Sequence, residues 1–397
     1  MKIAVVGSGI SGLSAAYYLS KNHHVDLFEK EDHFGGHSHT IDLSLGAKKV
    51  SVDIGFIVFN FATYPNLINF FEENNIEIEK SDMSFSVSVE KSSFEYCGKG
   101  LSGIFSNKSN LFNFKFLKMF FDIIKFYKKC DNIKDTHEEI TLGDYLNNEN
   151  LSKEFINYHL IPMVSAIWSM PPSAANQMPL KFFLEFFKNH GLFKLKNRPQ
   201  WYTVSNRSRT YVQNILSKIS GEYFKNYPIK KIKAKSKGID LYYGGESEYY
   251  GYDKVVLATH ADEALSIIDN PTEQEKGILS NYKYKENIAY IHTDINAMPK
   301  NRKAWCSWNS SIKKNESKEN SITYWLNLLQ NLECEEDIFL TLNPYFKIEN
   351  SKILKRVKFT HPYFDQSALN FQRQLTKLQN KRNILFCGSY FGYGFHE

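Results

Sequence analysis

The sequence predicts an α/β protein that opens on a Rossmann-like βαβ unit and is long enough for a second domain. Three observations carry this. A β-branched run, Lys2–Val6 (KIAVV), enters the glycine-rich turn Gly7-Ser8-Gly9-Ile10-Ser11-Gly12. A second run, His24–Phe28 (HVDLF), ends at an acid, Glu29. The 397 residues exceed the size at which one hydrophobic core usually stops growing. A hydrophobic content of 42% against 23% charged residues fits a packed chain and excludes wholesale disorder.

Each position of the unit has a physical task. Gly7 permits the tight turn, Gly9 lets the backbone approach a pyrophosphate where a Cβ would obstruct, and Gly12 allows close packing of helix on strand. The helix expected over residues 13–20 turns its unpaired N–H groups and positive dipole end toward a diphosphate. The whole stretch Gly7, Ser8, Gly9, Ile10, Ser11 and Gly12 is therefore a candidate dinucleotide cradle. Glu29 can accept both hydroxyl hydrogens of an adenosine ribose, and Lys30 follows it. The glycine pattern alone is weak; the strand before it, the helix after it and the acid closing the second strand supply its context.

The next segment reads Gly35-Gly36-His37-Ser38-His39-Thr40, followed by Val52-Asp53-Ile54-Gly55-Phe56. Two adjacent glycines suit a second close approach of backbone to an extended cofactor. At this point the sequence resembles the flavin-containing amine oxidase and phytoene desaturase superfamily, in which such elements together bind FAD. The resemblance implies a glutathione-reductase-like flavoprotein: a Rossmann-like FAD-binding domain (1–80, 197–264 and 368–397) with an interleaved α+β substrate domain (81–196 and 265–367). It adds Gly35, Gly36 and His37 as cofactor contacts. Further contacts are implied at Ile229 (adenine), Gly388 (diphosphate) and Gly394 (ribityl chain or ring), with residues 254–259 as the returning strand. His37 stands where many members carry Arg, a departure that weakens the case for inherited amine-oxidase chemistry.

Longer wording narrows the resemblance. Residues 198–201 (RPQW), 258–265 (ATHADEAL), 304–309 (AWCSWN), 323–327 (TYWLN) and 395–397 (FHE) are similar to predicted NAD/FAD-binding proteins linked with cyclopropane fatty acid synthases. That group includes desaturases of methyl-branched or furan fatty acids. Two further departures follow. Asn206-Arg207 occupies a place where relatives have a Gly pair, so a side chain there either narrows the cofactor channel or lets Arg207 reach a phosphate. The chain also stops at Glu397, where the family continues into Asp-Gly and a closing helix; the expectation is a truncated gene or fragment with weakened FAD binding.

The substrate half is rich in Phe and Lys. Residues 111–129 (LFNFKFLKMFFDIIKFYKK) and 182–195 (FFLEFFKNHGLFKL) have helical patterns. Two readings stand: a basic amphipathic surface that meets an anionic membrane, or core helices with solvated lysines, which the Phe-rich composition favours. Trp168, Trp201, Trp305, Trp308, Tyr324 and Trp325 would suit an apolar pocket facing a flat ring, or ordinary core packing. His37 and His39 follow the glycine pair and are the candidate catalytic proton shuttles, with a structural or cofactor-contact role as the alternative for each. His260 and His292 stand open in the same way.

Several classes are excluded. The net charge of +6 comes without an Arg-rich stripe or nucleic-acid motif, so no nucleic-acid partner is expected. No HExxH, clustered Cys/His or paired-acid pattern argues for a metal, and no GxSxG for a serine nucleophile. Five scattered cysteines without a signal peptide read as reduced thiols, hence a cytoplasmic protein, with peripheral contact at the inner membrane face under the first of the two helix readings. The expected activity is FAD-dependent dehydrogenation or desaturation of a lipid or modified fatty acyl substrate. The alternatives are a flavin amine oxidase and a truncated, non-catalytic flavin- or lipid-binding relative.

Overall fold

The computed structural model describes residues 1–133, 140–244, 249–314 and 319–397. Strand β1 (Lys2–Val6), helix α1 (Ile10–Ser20) and strand β2 (His24–Phe28) form the N-terminal βαβ unit. All but the first residue of each strand are buried, as expected for central parallel strands covered on both faces. They belong to a five-stranded, all-parallel sheet in the order Ile384–Phe386, Lys254–Leu257, β1, β2, Tyr223–Phe224. Helix α1 starts three residues earlier than its pattern suggests. Gly9 sits in extended conformation (φ −59°, ψ 174°) as its N-cap, so the last turn of the glycine loop is already helical.

An antiparallel three-stranded sheet (Ile229–Ala234, Ile239–Tyr243, Tyr249–Tyr252) is tied to the parallel one through buried Asp26. That carboxylate accepts the Tyr252 hydroxyl at 2.8 Å and the Glu222 N–H at 2.9 Å. A mixed seven-stranded sheet forms the second half. Its order is Ile353–Tyr363, Lys283–His292, Phe339–Leu342, Asn320–Trp325, Trp308–Ile312, Phe85–Val89, Glu95–Cys97. Its strand pairs are antiparallel except Trp308–Ile312 with Phe85–Val89.

Helices Phe114–Asp131, Leu142–Asn148, Ile161–Trp168, Pro172–Gln177 and Leu180–Asn189 lie within residues 114–131 and 142–189. Helix Leu180–Asn189 buries Leu180, Phe182, Phe183, Leu184, Phe186 and Phe187, so this Phe-rich stretch is core. It stops at Gly191, whose φ of 63° favours glycine. The other Phe-rich run, 111–129, is broken at Asn113: a 3₁₀ turn Lys108–Phe112 precedes helix Phe114–Asp131, and the Asn113 side chain accepts the N–H groups of Lys115 (3.1 Å) and Phe116 (3.3 Å). All five cysteines are unpaired.

Candidate dinucleotide and substrate cavity

A cavity of 1490 Å³ opens between the parallel sheet and the seven-stranded sheet. This exceeds the roughly 300–1,000 Å³ of ordinary small-molecule pockets, leaving room for a dinucleotide and a second molecule. Gly7, Ser8, Gly9, Ile10 and Ser11 line it, as do Glu29, Lys30 and Gly36. Ile229, Gly388, Gly394, His37 and His39 line it as well. Gly12 and Gly35 stand behind the wall.

The loop geometry explains its glycines. A Cβ on Gly12 would lie 1.9 Å from the Gly7 carbonyl oxygen, so only glycine lets α1 sit this close to the turn. A Cβ on Gly9 would meet nothing within 4 Å and would project into the cradle itself. Ser8 organises the rest. Its N–H and hydroxyl both donate to Glu29 Oε2, at 2.9 and 2.6 Å, while its Oγ accepts the Gly35 N–H at 3.1 Å. Glu29 Oε1 accepts the Glu31 N–H at 3.0 Å. The carboxylate is thus fixed in place, with acceptor capacity left for hydroxyl donors. Lys30 turns instead to Glu263, 2.5 Å away, which neutralises it beside the cavity.

Histidines crowd the far side of this cradle. His33, His37, His39, His190, His260, His361 and His396 all line the cavity. His37 packs on Phe359 at 5.2 Å and His361 at 5.1 Å between ring centres, and His39 stacks on His33 at 3.8 Å. Burial, reinforced by His361 and other neighbouring imidazoles, pushes His37 well below the usual histidine range. Burial brings His39 and His361 to about 4 and His396 to about 3. These rings are neutral near pH 7, so His37 offers a hydrogen-bonding imidazole and no charge.

One of the rings has an assignable tautomer. The Ile288 N–H donates to Asn343 Oδ1, the Asn343 amide to Asn287 Oδ1 at 2.6 Å, and the Asn287 amide to His361 Nδ1 at 2.7 Å. That relay leaves Nε2 of His361 to carry the proton. The Tyr211 hydroxyl donates to Ser38 Oγ, which lies 3.1 Å from His396 Nε2.

The aromatic set divides. Trp168, Trp201, Trp308 and Tyr324 line the cavity together with Leu340 and Leu342. Trp305 and Trp325 do not; they pack edge to face at 5.4 Å against Met298 and Phe339 in a separate core. His292 is likewise removed from the cavity: its ring bonds Thr341 Oγ1 at 2.7 Å and accepts the Asp294 N–H at 3.1 Å. Arg207 neither narrows the cavity nor reaches a phosphate. Its Nε donates to the Ser51 carbonyl at 3.0 Å, and its guanidinium faces Glu79 at 3.9 Å. Asn206 (φ 59°) and Arg207 (φ 76°) both hold left-handed backbone, the conformation that a Gly pair adopts without strain.

No sequence pattern places His361, His396 or Asp53 at the site. His361 comes from strand Ile353–Tyr363 and His396 from the C-terminal segment, both more than 300 residues from His37. Asp53 lies behind the wall and holds the local backbone together. It accepts the Ser208 N–H (2.8 Å), the Ser208 hydroxyl (2.7 Å) and the Thr40 hydroxyl (2.5 Å), and Gln330 brackets its peptide group at 2.8 and 2.7 Å. Among the described residues no group of three or more metal-type ligands occurs, and no helix is long and apolar enough to cross a membrane.

The residues present fit a dinucleotide. The cradle at Gly9 is the space a Cβ would fill. His37 Nε2, Trp308 Nε1 and the Tyr390 hydroxyl are buried at the cavity without a hydrogen-bond partner. Each such orphan costs about 1–3 kcal/mol and is relieved by a ligand that bonds it.

Comparisons with known proteins agree with this geometry. The family model for an NAD(P)-binding Rossmann-like domain matches residues 5–73. No curated protein matches the chain by sequence. Among solved structures, a CLA-producing fatty acid isomerase from P. acnes superposes with a TM-score of 0.67 at 12% identity, covering 99% of this chain and 95% of its own. A putrescine oxidase gives 0.68 at 13% identity, covering 100% and 95%. Cyclohexylamine oxidase from Brevibacterium oxydans IH-35A gives 0.66 at 12% identity, covering 100% and 94%. Over essentially its whole length, the chain has the α/β fold of these proteins, with a Rossmann-like dinucleotide-binding unit at its start.

Proposed function

We propose that this protein is an FAD-dependent oxidoreductase that dehydrogenates a lipid or modified fatty acyl substrate. The observation that carries the reading is one cavity lined both by the dinucleotide cradle and by an apolar, aromatic wall. Under this reading Gly7 to Ser11, Glu29, Gly36, Ile229, Gly388 and Gly394 hold the cofactor, and residues 81–196 and 265–367 supply most of the substrate side. FAD, when bound, supplies a two-electron acceptor for hydride.

The chain's own residues bind, orient and exclude water. Glu29, fixed by Ser8, receives ribose hydroxyls. The N-terminus of α1 faces the diphosphate with its unpaired N–H groups. Trp168, Trp201, Trp308, Tyr324, Leu340 and Leu342 bury an acyl chain, where each methylene contributes about 0.8 kcal/mol. His37 and His39, uncharged and beside the glycine pair, would take the proton, and His37 Nε2 is one of the buried cavity atoms without a hydrogen-bond partner.

A second reading is favoured by one contact. Trp308 and Tyr324 meet edge to face at 4.8 Å on the cavity wall, a surface that also suits a cationic amine. Purified protein should be yellow or become so on addition of FAD. Protein that stays colourless after reconstitution overturns the reading. Anaerobic mixing then separates the substrate classes, because phospholipid with methyl-branched acyl chains bleaches the flavin under the first reading and an alkylamine under the second.

A further inference from the structure

Helix Phe114–Asp131 has two unlike faces. Phe116, Met119, Ile123, Phe126, Tyr127 and Cys130 are buried in the core. The opposite face runs Phe114, Lys118, Phe121, Lys125, Lys128, at offsets of 4, 7, 11 and 14 residues, and all five are exposed. Phe112 and Phe114 are 87% and 88% exposed and Phe121 is 66% exposed; Leu111, at 47%, adds to the same end. Phe112 and Phe114 flank the capping residue Asn113, so the rigid start of a helix holds them outward. Exposed phenylalanines at this density need an occupant that removes them from water.

The charges around them select that occupant. Lys108, Lys118, Lys125 and Lys128 are exposed and have no ion-pair partner among the described residues. Among the described residues, Glu154 and Glu149, which face the helix, are paired with Lys115 (3.6 Å) and Lys129 (2.5 Å), Asp122 is buried under the Ser152 N–H, and Asp131 closes the helix at its far end. A second copy of the chain would bring like charges together across a two-fold axis. An anionic lipid surface accepts both features at once: aromatic rings enter the headgroup boundary while lysines meet the phosphates.

We propose that residues 108–128 form a peripheral docking surface for an anionic phospholipid bilayer, with Phe112, Phe114 and Phe121 as the inserting side chains. The inference stands on exposure and charge, not on the cofactor. The test is flotation of the full chain with vesicles of phosphatidylcholine alone and of phosphatidylcholine mixed with phosphatidylglycerol. Binding is expected to the mixed vesicles and to weaken with salt. The triple variant F112S/F114S/F121S should lose at least about tenfold in partitioning. K118Q/K125Q should lose roughly fivefold per lysine, together with the preference for phosphatidylglycerol. All five positions are exposed, so circular dichroism and melting should match the unaltered chain. In a separate F112W variant, indole emission should shift to the blue on mixed vesicles. Three results overturn the proposal: no flotation with mixed vesicles, flotation unchanged in both variants, or a dimer abolished by the Phe variant without vesicle binding. Each can be read whether or not the protein carries flavin.

Discussion

Glu29 Oε2 receives two hydrogen bonds from one residue, the backbone N–H and the hydroxyl of Ser8, at 2.9 and 2.6 Å. The acid closing β2 is thereby bolted to the turn that leaves β1, and the two halves of the cradle cannot move apart. Hydrogen bonds to an ionised partner contribute about 1.5–3 kcal/mol each. Glu29→Ala should therefore lower FAD affinity by about tenfold or more, and Ser8→Ala by somewhat less, measured by flavin fluorescence titration. Lys30→Ala should change it much less than Glu29→Ala, because Lys30 is spent on Glu263.

The glycine loop predicts opposite outcomes three residues apart. Gly9→Ala places its methyl in open space at a φ that alanine accepts, so the melting temperature should hold or rise by the equivalent of about 0.4–1 kcal/mol. Flavin retention should be lost. Gly12→Ala drives a Cβ to 1.9 Å from the Gly7 oxygen and should destabilise the fold by about 3 kcal/mol. Thermal melts and the absorbance of bound flavin check both.

Stability should fall on mild acidification. His361, His39 and His190 titrate at about 4 in the folded chain and His396 at about 3, against about 6.5 when unfolded. Between these values the unfolded state holds more protons, so its share grows as pH drops from about 6.5 toward 4. His361 alone accounts for on the order of 2 kcal/mol at pH 5. Melting temperature should decline over that window, and His361→Gln should flatten the slope.

Glu397 caps a helix far from it in sequence. Its carboxylate accepts the N–H of Asn66 at 2.9 Å and of Leu67 at 3.0 Å, at the start of helix Pro65–Glu73. Glu397→Ala should cost about 1 kcal/mol, seen as a drop of a few degrees in melting temperature.

The βαβ unit is legible along the chain, because its information is local. The β-branched strand, the three glycines and the terminal acid at Glu29 each have a steric or electrostatic reason legible within thirty residues. The break of the 111–129 pattern at Asn113 is not legible in this way, since a cap competes with periodicity on nearly equal terms. Which aromatic residues face the cavity is settled by long-range packing. Trp305, Trp308 and Trp325 sit in similar sequence surroundings, yet strand register turns Trp308 inward and leaves the other two in a separate core. It also brought His361 and His396 to His37, and sent Arg207 to Ser51 instead of the cavity. Burial and long-range pairing set these outcomes, and neither has a period that can be read along the chain.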